Sequence, residues 1–422
     1  NSHILNIADD NFGNLKRDEQ ISQKLADMKE KYGGPIRTSI STSKVNLEQV
    51  VDSICPIKHI MTINLSVQSM NPDTLMAIKR KNLSIGEFQE ITNMLNANLI
   101  RSVTELIVPM PEETVDTHLQ SIKTLADSGI DEIILYTTML LPSTPFTENP
   151  YYDQFNMIKK YRVVPKGFGE YFHKKVIEVE AVCIATSTIS AEEYYKIRGL
   201  HFVVHSLYSM KLLKEIVLYL RSLNISIFKW LQNIQQHLEA DAGVPGKIYQ
   251  QFLLESKKEL WDSDDEIYEY YNIDENYQKL INGEVGSNLL MKYSLCCLEN
   301  LDYIGQIALQ VLLDTEKTVN AFFLKDLLKY CISKRGSIFE KTKYQINESF
   351  LFDIEVWRNS DEKGKIKKFM NSVNIKFFIT EEQQKIIDQY TIRYGNSEYA
   401  KGLILAKVGP ENLFRQESVC QS

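Results

Sequence analysis

Residues 59–67 read HIMTINLSV, continue into Gln68-Ser69-Met70-Asn71, and give way to helical spacing over residues 72–78. Residues 59–67 are the third strand in a series of short apolar runs that alternate with helices. Upstream, residues 3–8 (HILNIA) read as a strand. Residues 15–32 follow with Leu15, Ile21, Leu25 and Met28 at helical spacing and stop at Gly33-Gly34-Pro35. A second strand spans 36–41 and a helix 45–54. Downstream come a helix at 85–95 and a fourth strand at 99–108. A further helix starts near Pro111-Glu112-Glu113, where proline in the first turn and carboxylates near the positive end suit a helix start. The fifth strand, 130–135, is entered through Asp127-Ser128-Gly129.

Strand–helix alternation of this kind implies an α/β fold of parallel strands with right-handed crossovers. Periodicity alone does not separate a barrel from an open doubly wound sheet. In both, ligands gather at the carboxyl ends of the strands. After Thr144-Pro145 the pattern changes: 174–185 contains a strand, 191–223 is helical, and helices dominate to about Cys331. Residues 365–379 and 398–407 are expected to add short strands. The expected organisation is a β/α unit at 1–150, a closing or linking segment at 151–200, and a mostly helical C-terminal domain at 201–422.

Composition narrows the function classes. The 422 residues carry a net charge of −7 with no basic stripe, which disfavours a nucleic-acid partner. No apolar run reaches the roughly 18 residues of a membrane span. No signal peptide opens the chain, and it starts at Asn1 rather than at Met. Cys55, Cys183, Cys296, Cys297, Cys331 and Cys420 are scattered without a C-x-x-C spacing, which fits a reducing cytoplasm and small buried hydrophobes.

Polar residues mark four strand ends. The first ends in Asp9-Asp10-Asn11-Phe12 and the second in Ser39-Ile40-Ser41-Thr42. The third ends in Val67-Gln68-Ser69, with Arg80 twelve residues after Gln68, and the fourth holds Glu105 before Pro109-Met110-Pro111. Each has a plainer reading: a helix cap for the aspartates, a solvated helix-end cation for Arg80, a lysine partner for Glu105. Together they set a carboxylate, an amide and a guanidinium around one rim. That suits a ligand with a carboxylate, hydroxyls and an adenine, since arginine binds carboxylates bidentately and acidic residues accept from ribose hydroxyls.

Several segments resemble the radical S-adenosylmethionine (SAM) superfamily. Leu65 through Met70-Asn71, continuing to Leu75, Ile78, Lys79, Arg80 and Asn82, resembles its "QS, then a helix, then R" segment. Thr104-Glu105-Leu106-Ile107 through Pro111-Glu112-Glu113-Thr114 resembles its next strand and "GLPGET" loop. Leu140-Leu141-Pro142-Ser143-Thr144-Pro145 resembles its "LLPGTPL" turn, and Ile7 through Phe12 the "DDNF" strand end. The resemblance covers roughly residues 3–200, in order, and its flavour is that of members with an upstream cobalamin-binding domain.

The resemblance implies a partial (β/α)6 barrel with five of its strands present, followed by the helical domain. By position it implies that Gln68 and Arg80 contact the methionine part of SAM, that Glu105 holds the ribose hydroxyls, and that Ser41 touches the methionine moiety. Asp10, Asn11 and Tyr136 would face the substrate. It implies SAM, a [4Fe–4S] cluster and cobalamin as cofactors, a small-molecule substrate, and a reductant such as flavodoxin or ferredoxin. The reaction would be radical chemistry, methyl transfer or rearrangement. Two features depart from the family: Pro109 and Glu112 stand where its loop has glycines, and the C-x-x-x-C-x-x-C cluster motif is absent. That motif precedes the "DDNF" strand end in the family, so it is expected before Asn1, and this chain by itself is expected to be inactive.

Rival readings are a non-catalytic interaction protein on a decayed barrel and an ordinary barrel lyase, the latter lacking a strand-end lysine or metal cluster. His201 and His205, four apart, have a spacing that suits metal ligands but read better as packing. Residues 243–247 (GVPGK) read as a turn rather than a phosphate loop, residues 268–277 as helix packing, and the amphipathic stretch 212–223 as a docking face.

Overall fold

The computed structural model describes residues 4–9, 11–41, 47–147 and 151–420. Its first part alternates as the sequence pattern requires: β1 (Ile4–Ile7), α1 (Lys16–Tyr32), β2 (Arg37–Ser41), α2 (Leu47–Ile54), β3 (Met61–Asn64), α3 (Pro72–Ala77), α4 (Ile85–Ala97), β4 (Arg101–Val108), α5 (Val115–Ser128) and β5 (Glu132–Thr137). Helix ends follow local chemistry. Gly33 stops α1 at φ 74°, its N–H on the Lys29 carbonyl at 2.8 Å. Ser84 and Glu87 form a capping box on α4.

The five strands form one sheet in the order β1-β2-β3-β4-β5, every neighbouring pair parallel. An order without reversal is that of a partial barrel and not of a doubly wound sheet, which turns back at a switch point. Ile63, Leu65, Leu106, Ile133 and Leu135 are buried in the main core. Parallel strands covered by helices bury both faces in this way.

A short helix α6 (Tyr151–Gln154) leads into two long antiparallel strands, β6 (Ile158–Tyr171) and β7 (Lys174–Ala185). The second arm was expected and the first was not. Pro165, Gly167, Gly169 and a register shift between Val163 and Phe168 break the alternation that would betray β6.

Helices α7 (Ala191–Val203), α8 (Lys214–Ser222), α9 (Ile227–Ala240), α10 (Val244–Lys258), α11 (Asp264–Asn272), α12 (Asp274–Ile281), α13 (Leu289–Glu299), α14 (Leu301–Thr315) and α15 (Ala321–Arg335) follow. Residues 243–247 open α10, with Gly243 as its N-cap. Between α7 and α8, Val204–Ser209 is π-helical and covers the far edge of the sheet. There the Ser209 hydroxyl donates to the Ile133 carbonyl at 3.0 Å and accepts its N–H at 3.1 Å. Taking up the polar groups of Ile133 in this way blunts that edge as a template for another chain.

The chain ends in β8 (Gln345–Phe350), α16 (Ile354–Asn359), β9 (Val373–Phe378), α17 (Glu381–Tyr394), α18 (Glu398–Val408), α19 (Pro410–Leu413) and β10 (Gln416–Val419), the strands forming an antiparallel sheet in the order β10-β9-β8. The strand expected at 398–407 is helix α18. Ser397 caps it, and Ala400, Ile404 and Val408 recur at helical spacing on its buried side. Of 365–379, only Val373–Phe378 is strand.

A buried ion pair fastens the end of α15 to α8. Arg335 Nη1 lies 2.7 Å from Glu215 Oε2, both side chains nearly inaccessible. Burial pushes the Glu215 carboxyl up, but the Arg335 charge and hydrogen bond, aided by Lys214 and Arg358, outweigh it and hold the carboxyl at about 2. A depressed acid contributes stability above its unfolded value and loses it on protonation. Stability should therefore fall as the pH drops from the ordinary 4.5 toward 2. Arg335→Ala should cost about 3–5 kcal/mol in urea unfolding near neutral pH, because it strands a buried charge. A cost below about 1 kcal/mol would contradict this.

Candidate functional site

The site begins where β3 leaves its ladder. β3 and β4 pair from Thr62 to Asn64, and Leu65 N–H still reaches the Val103 carbonyl at 2.9 Å. At Ser66 the backbone turns to φ 36°, and Val67 N–H goes to the Thr104 hydroxyl at 3.3 Å. At Gln68, φ 61°, the chain rejoins β4: its N–H donates to the Glu105 carbonyl at 2.7 Å, and its carbonyl accepts from Ile107 N–H at 2.9 Å. Such a bulge re-aims the side chains that follow it.

Three side chains hold this geometry. Asn82 Nδ2 donates to the Val67 and Ser69 carbonyls at 2.5 and 2.8 Å, bracketing Gln68. Arg80 follows a left-handed residue, Lys79 at φ 55°, and its guanidinium reaches back to the Ser66 carbonyl at 3.2 Å. Asn64 donates to Glu105 Oε1 at 2.7 Å and accepts Ser66 N–H at 2.8 Å. Glu105 is thus held by an amide rather than by a lysine.

Gln68, Arg80, Glu105 and Tyr136 line one cavity of about 580 Å³ at the carboxyl ends of β3, β4 and β5. The opposite wall is apolar, with Ile78, Ile107, Met139, Leu141 and Phe146. Tyr151 closes it, its hydroxyl donating to the Ala77 carbonyl at 3.0 Å. Burial, then the charges of Glu105 and Glu132, push the Tyr136 phenol up, so it stays protonated and able to donate.

Asn11 is exposed on the turn after β1, its N–H on Asp9 Oδ1 at 2.9 Å, and is not among the residues lining this cavity. Asp10 and the Ser41 side chain lie outside the described residues; the Ser41 backbone ends β2.

Sequence reasoning missed the role of Glu113. It is fully buried, accepting from the Ser69 hydroxyl at 2.6 Å and from Thr117 at 3.1 Å. Burial raises its pKa, offset in part by hydrogen bonds from Ser69, Thr117 and Thr74. It ties the Gln68-Ser69 segment to the loop before α5. Two adjacent glutamates carry no periodic signal that tells which one turns inward. Glu112, the position where the resembled family has glycine, sits at φ 60°.

The histidines are packing groups. His118 and His201 share a hydrogen bond between their Nε2 atoms at 2.8 Å, in full burial. Burial lowers His118 to about 3 and His205 to about 4, so both are neutral. Among the described residues no group of three His, Cys, Asp or Glu could hold a metal ion, and no helix is long and apolar enough to cross a membrane.

Two curated methyltransferases are similar in sequence to this chain. It is 31% identical over 165 residues to the cobalamin-dependent radical SAM methyltransferase TokK of Streptomyces tokunonensis, covering 38% of this chain and 24% of that protein. It is 28% identical over 253 residues to the 2-(S-pantetheinyl)-carbapenam-3-carboxylate methyltransferase of Streptantibioticus cattleyicolor, covering 58% of this chain and 36% of that protein. The chain thus spans a quarter to about a third of the length of these curated relatives. Among solved structures, the radical SAM methyltransferase TsrM of Kitasatospora setae, with cobalamin and a [4Fe–4S] cluster bound, aligns at a TM-score of 0.28 and 13% identity, over 34% of this chain and 27% of that one. No protein-family model matches.

Left-handed backbone costs a non-glycine residue about 1–2 kcal/mol. Glu112→Gly should leave the urea midpoint unchanged or raise stability by up to about 1 kcal/mol, while Glu112→Val lowers it by about 1–2 kcal/mol. Equal losses in both would show that the side chain, and not the backbone, matters there.

Proposed function

We propose that this chain is the SAM-binding part of a cobalamin-dependent radical SAM methyltransferase that acts on a small molecule. The observation that supports it is the convergence of Gln68, Arg80 and Glu105 on one cavity at the strand ends. Its volume, about 580 Å³, lies in the ~300–1,000 Å³ range of small-molecule sites. The donor set fits SAM. Arg80 offers a planar guanidinium to a carboxylate, the Gln68 amide both accepts and donates beside it, and Glu105 accepts from ribose hydroxyls. SAM bound there would supply radical and methyl-transfer chemistry.

The chain's own residues bind and orient. Asn64 fixes the carboxylate of Glu105, leaving its remaining acceptor capacity to the cavity. Asn82 and the Ser66 carbonyl fix Gln68 and Arg80 from behind. The protonated Tyr136 adds a donor on the side nearest β5, and the apolar wall excludes water from the space beyond. Left-handed backbone at Ser66, Gln68 and Lys79 adds support, since strain of this kind gathers at binding sites.

In this reading the cluster ligands are not among the described residues, no side chain here is assigned to cobalamin, and electrons come from a small reductant protein such as flavodoxin or ferredoxin. The substrate named for the Streptantibioticus cattleyicolor relative is a pantetheinyl carbapenam, so a small molecule is the class assigned.

The test is equilibrium dialysis of the chain with SAM and with S-adenosylhomocysteine. Arg80→Ala and Glu105→Ala should each weaken binding at least tenfold, about 1.4 kcal/mol, while the exposed control Lys123→Ala leaves it unchanged. Binding that survives both site substitutions would refute the assignment.

A further inference from the structure

A second cavity, of about 360 Å³, opens at the other end of the sheet. Arg37 and Arg101, the first residues of β2 and β4, reach into it. Lys58 joins them from the turn before β3, and Lys211 and Lys214 from the start of α8.

The acids nearby are already committed. Glu132 holds Arg101 at 2.6 Å. Asp131 holds Lys211 at 3.3 Å and accepts Ser102 N–H at 3.0 Å. Glu411 of α19 bridges Lys211 at 3.2 Å and Lys214 at 2.9 Å. Five cations therefore face three carboxylates. Arg37 donates to a backbone carbonyl, that of Ala406, at 3.2 Å. Among the described residues no carboxylate comes within ion-pair distance of Arg37 or Lys58. Arg101 Nε is buried without a hydrogen-bond partner. The two guanidiniums converge on Gly409, where a Cβ would meet Nη1 of each at 3.7 Å.

Like charges crowded at a cleft wall focus a positive potential, and paired guanidiniums match the geometry of phosphate oxygens. We propose that this cavity binds a phosphate-bearing small molecule, with Arg37 and Arg101 as the clamp and Lys58 at the mouth. The ligand would bridge the amino ends of β2 and β4 to α8 and α19. Its site is separate from the cavity at the carboxyl ends, so either assignment can fail alone. Burial, then the Arg101 charge, lowers the Arg37 pKa, partly offset by the charges of Glu132 and Glu411.

Inorganic pyrophosphate is the probe, titrated calorimetrically into the whole chain at fixed ionic strength, with potassium chloride as the matched salt. Saturable binding is expected, weakened at least tenfold by Arg37→Gln and by Lys58→Gln, with SAM binding unchanged in both. Lys58 is part-exposed, so its variant decides the matter if Arg37→Gln does not fold. No saturable binding to the unaltered chain, or binding that neither variant weakens, overturns the proposal.

Discussion

The Gln68 N–H on the Glu105 carbonyl is the contact on which the candidate site depends. Had β3 continued in register, alternation would have sent successive side chains to opposite faces and the backbone would have run on past β4. Instead the chain steps out at Ser66 and Val67 and re-enters at Gln68, paired in register with Leu106. That step delivers an amide to the rim and leaves the Ser66 carbonyl for Arg80. It also brings Ser69 over the buried Glu113. Four residues far apart in sequence are thereby fixed to one another through a single backbone detour.

Such a detour has an energetic cost. Ser66, Gln68, Lys79 and Glu112 all have positive φ, each worth roughly 1–3 kcal/mol of strain in a residue with a side chain. It persists because the surroundings over-determine it. Asn82 closes two carbonyls, Asn71 both caps α3 and donates to the Glu112 carbonyl at 2.9 Å, and the buried Glu113 collects hydroxyl donors. Burial favours the protonated form of this carboxyl, and the hydroxyl hydrogen bonds oppose it in part. Among the described residues the loop it organises is held by hydroxyl and amide hydrogen bonds, with no ion pair to Glu113. The charged networks lie elsewhere, between the sheet's amino ends, α8 and the C-terminal strands, where they fasten the helical part to the barrel.

Much of this was legible in the sequence. The five parallel strands and their order follow from apolar runs at βα spacing, and right-handed crossovers leave little choice of topology. Gln68 and Glu105 stood out as polar residues at strand ends, with Arg80 twelve residues after Gln68, whereas Tyr136 came only from the family resemblance. Asn64 and Glu113 escaped for opposite reasons. Asn64 looks like an ordinary strand terminus, and Glu113 looks like a helix-start carboxylate, which it is not: α5 begins at Val115 behind a Thr114 cap. β6 escaped because proline and glycines break its period, and α18 because four apolar residues in a row, 403–406, fit a strand as well as a helix. What local pattern does not encode is which of two adjacent polar side chains turns inward, because that is settled by partners many residues away.

A crystal structure of the chain with S-adenosylhomocysteine tests the central claim most directly. The account predicts the ligand in the cavity at the carboxyl ends of β3, β4 and β5, its ribose hydroxyls on Glu105 and its amino-acid end beside Gln68 and Arg80. A ligand bound with Glu105 and Arg80 both out of reach, or seated at the amino ends of the strands, would contradict it.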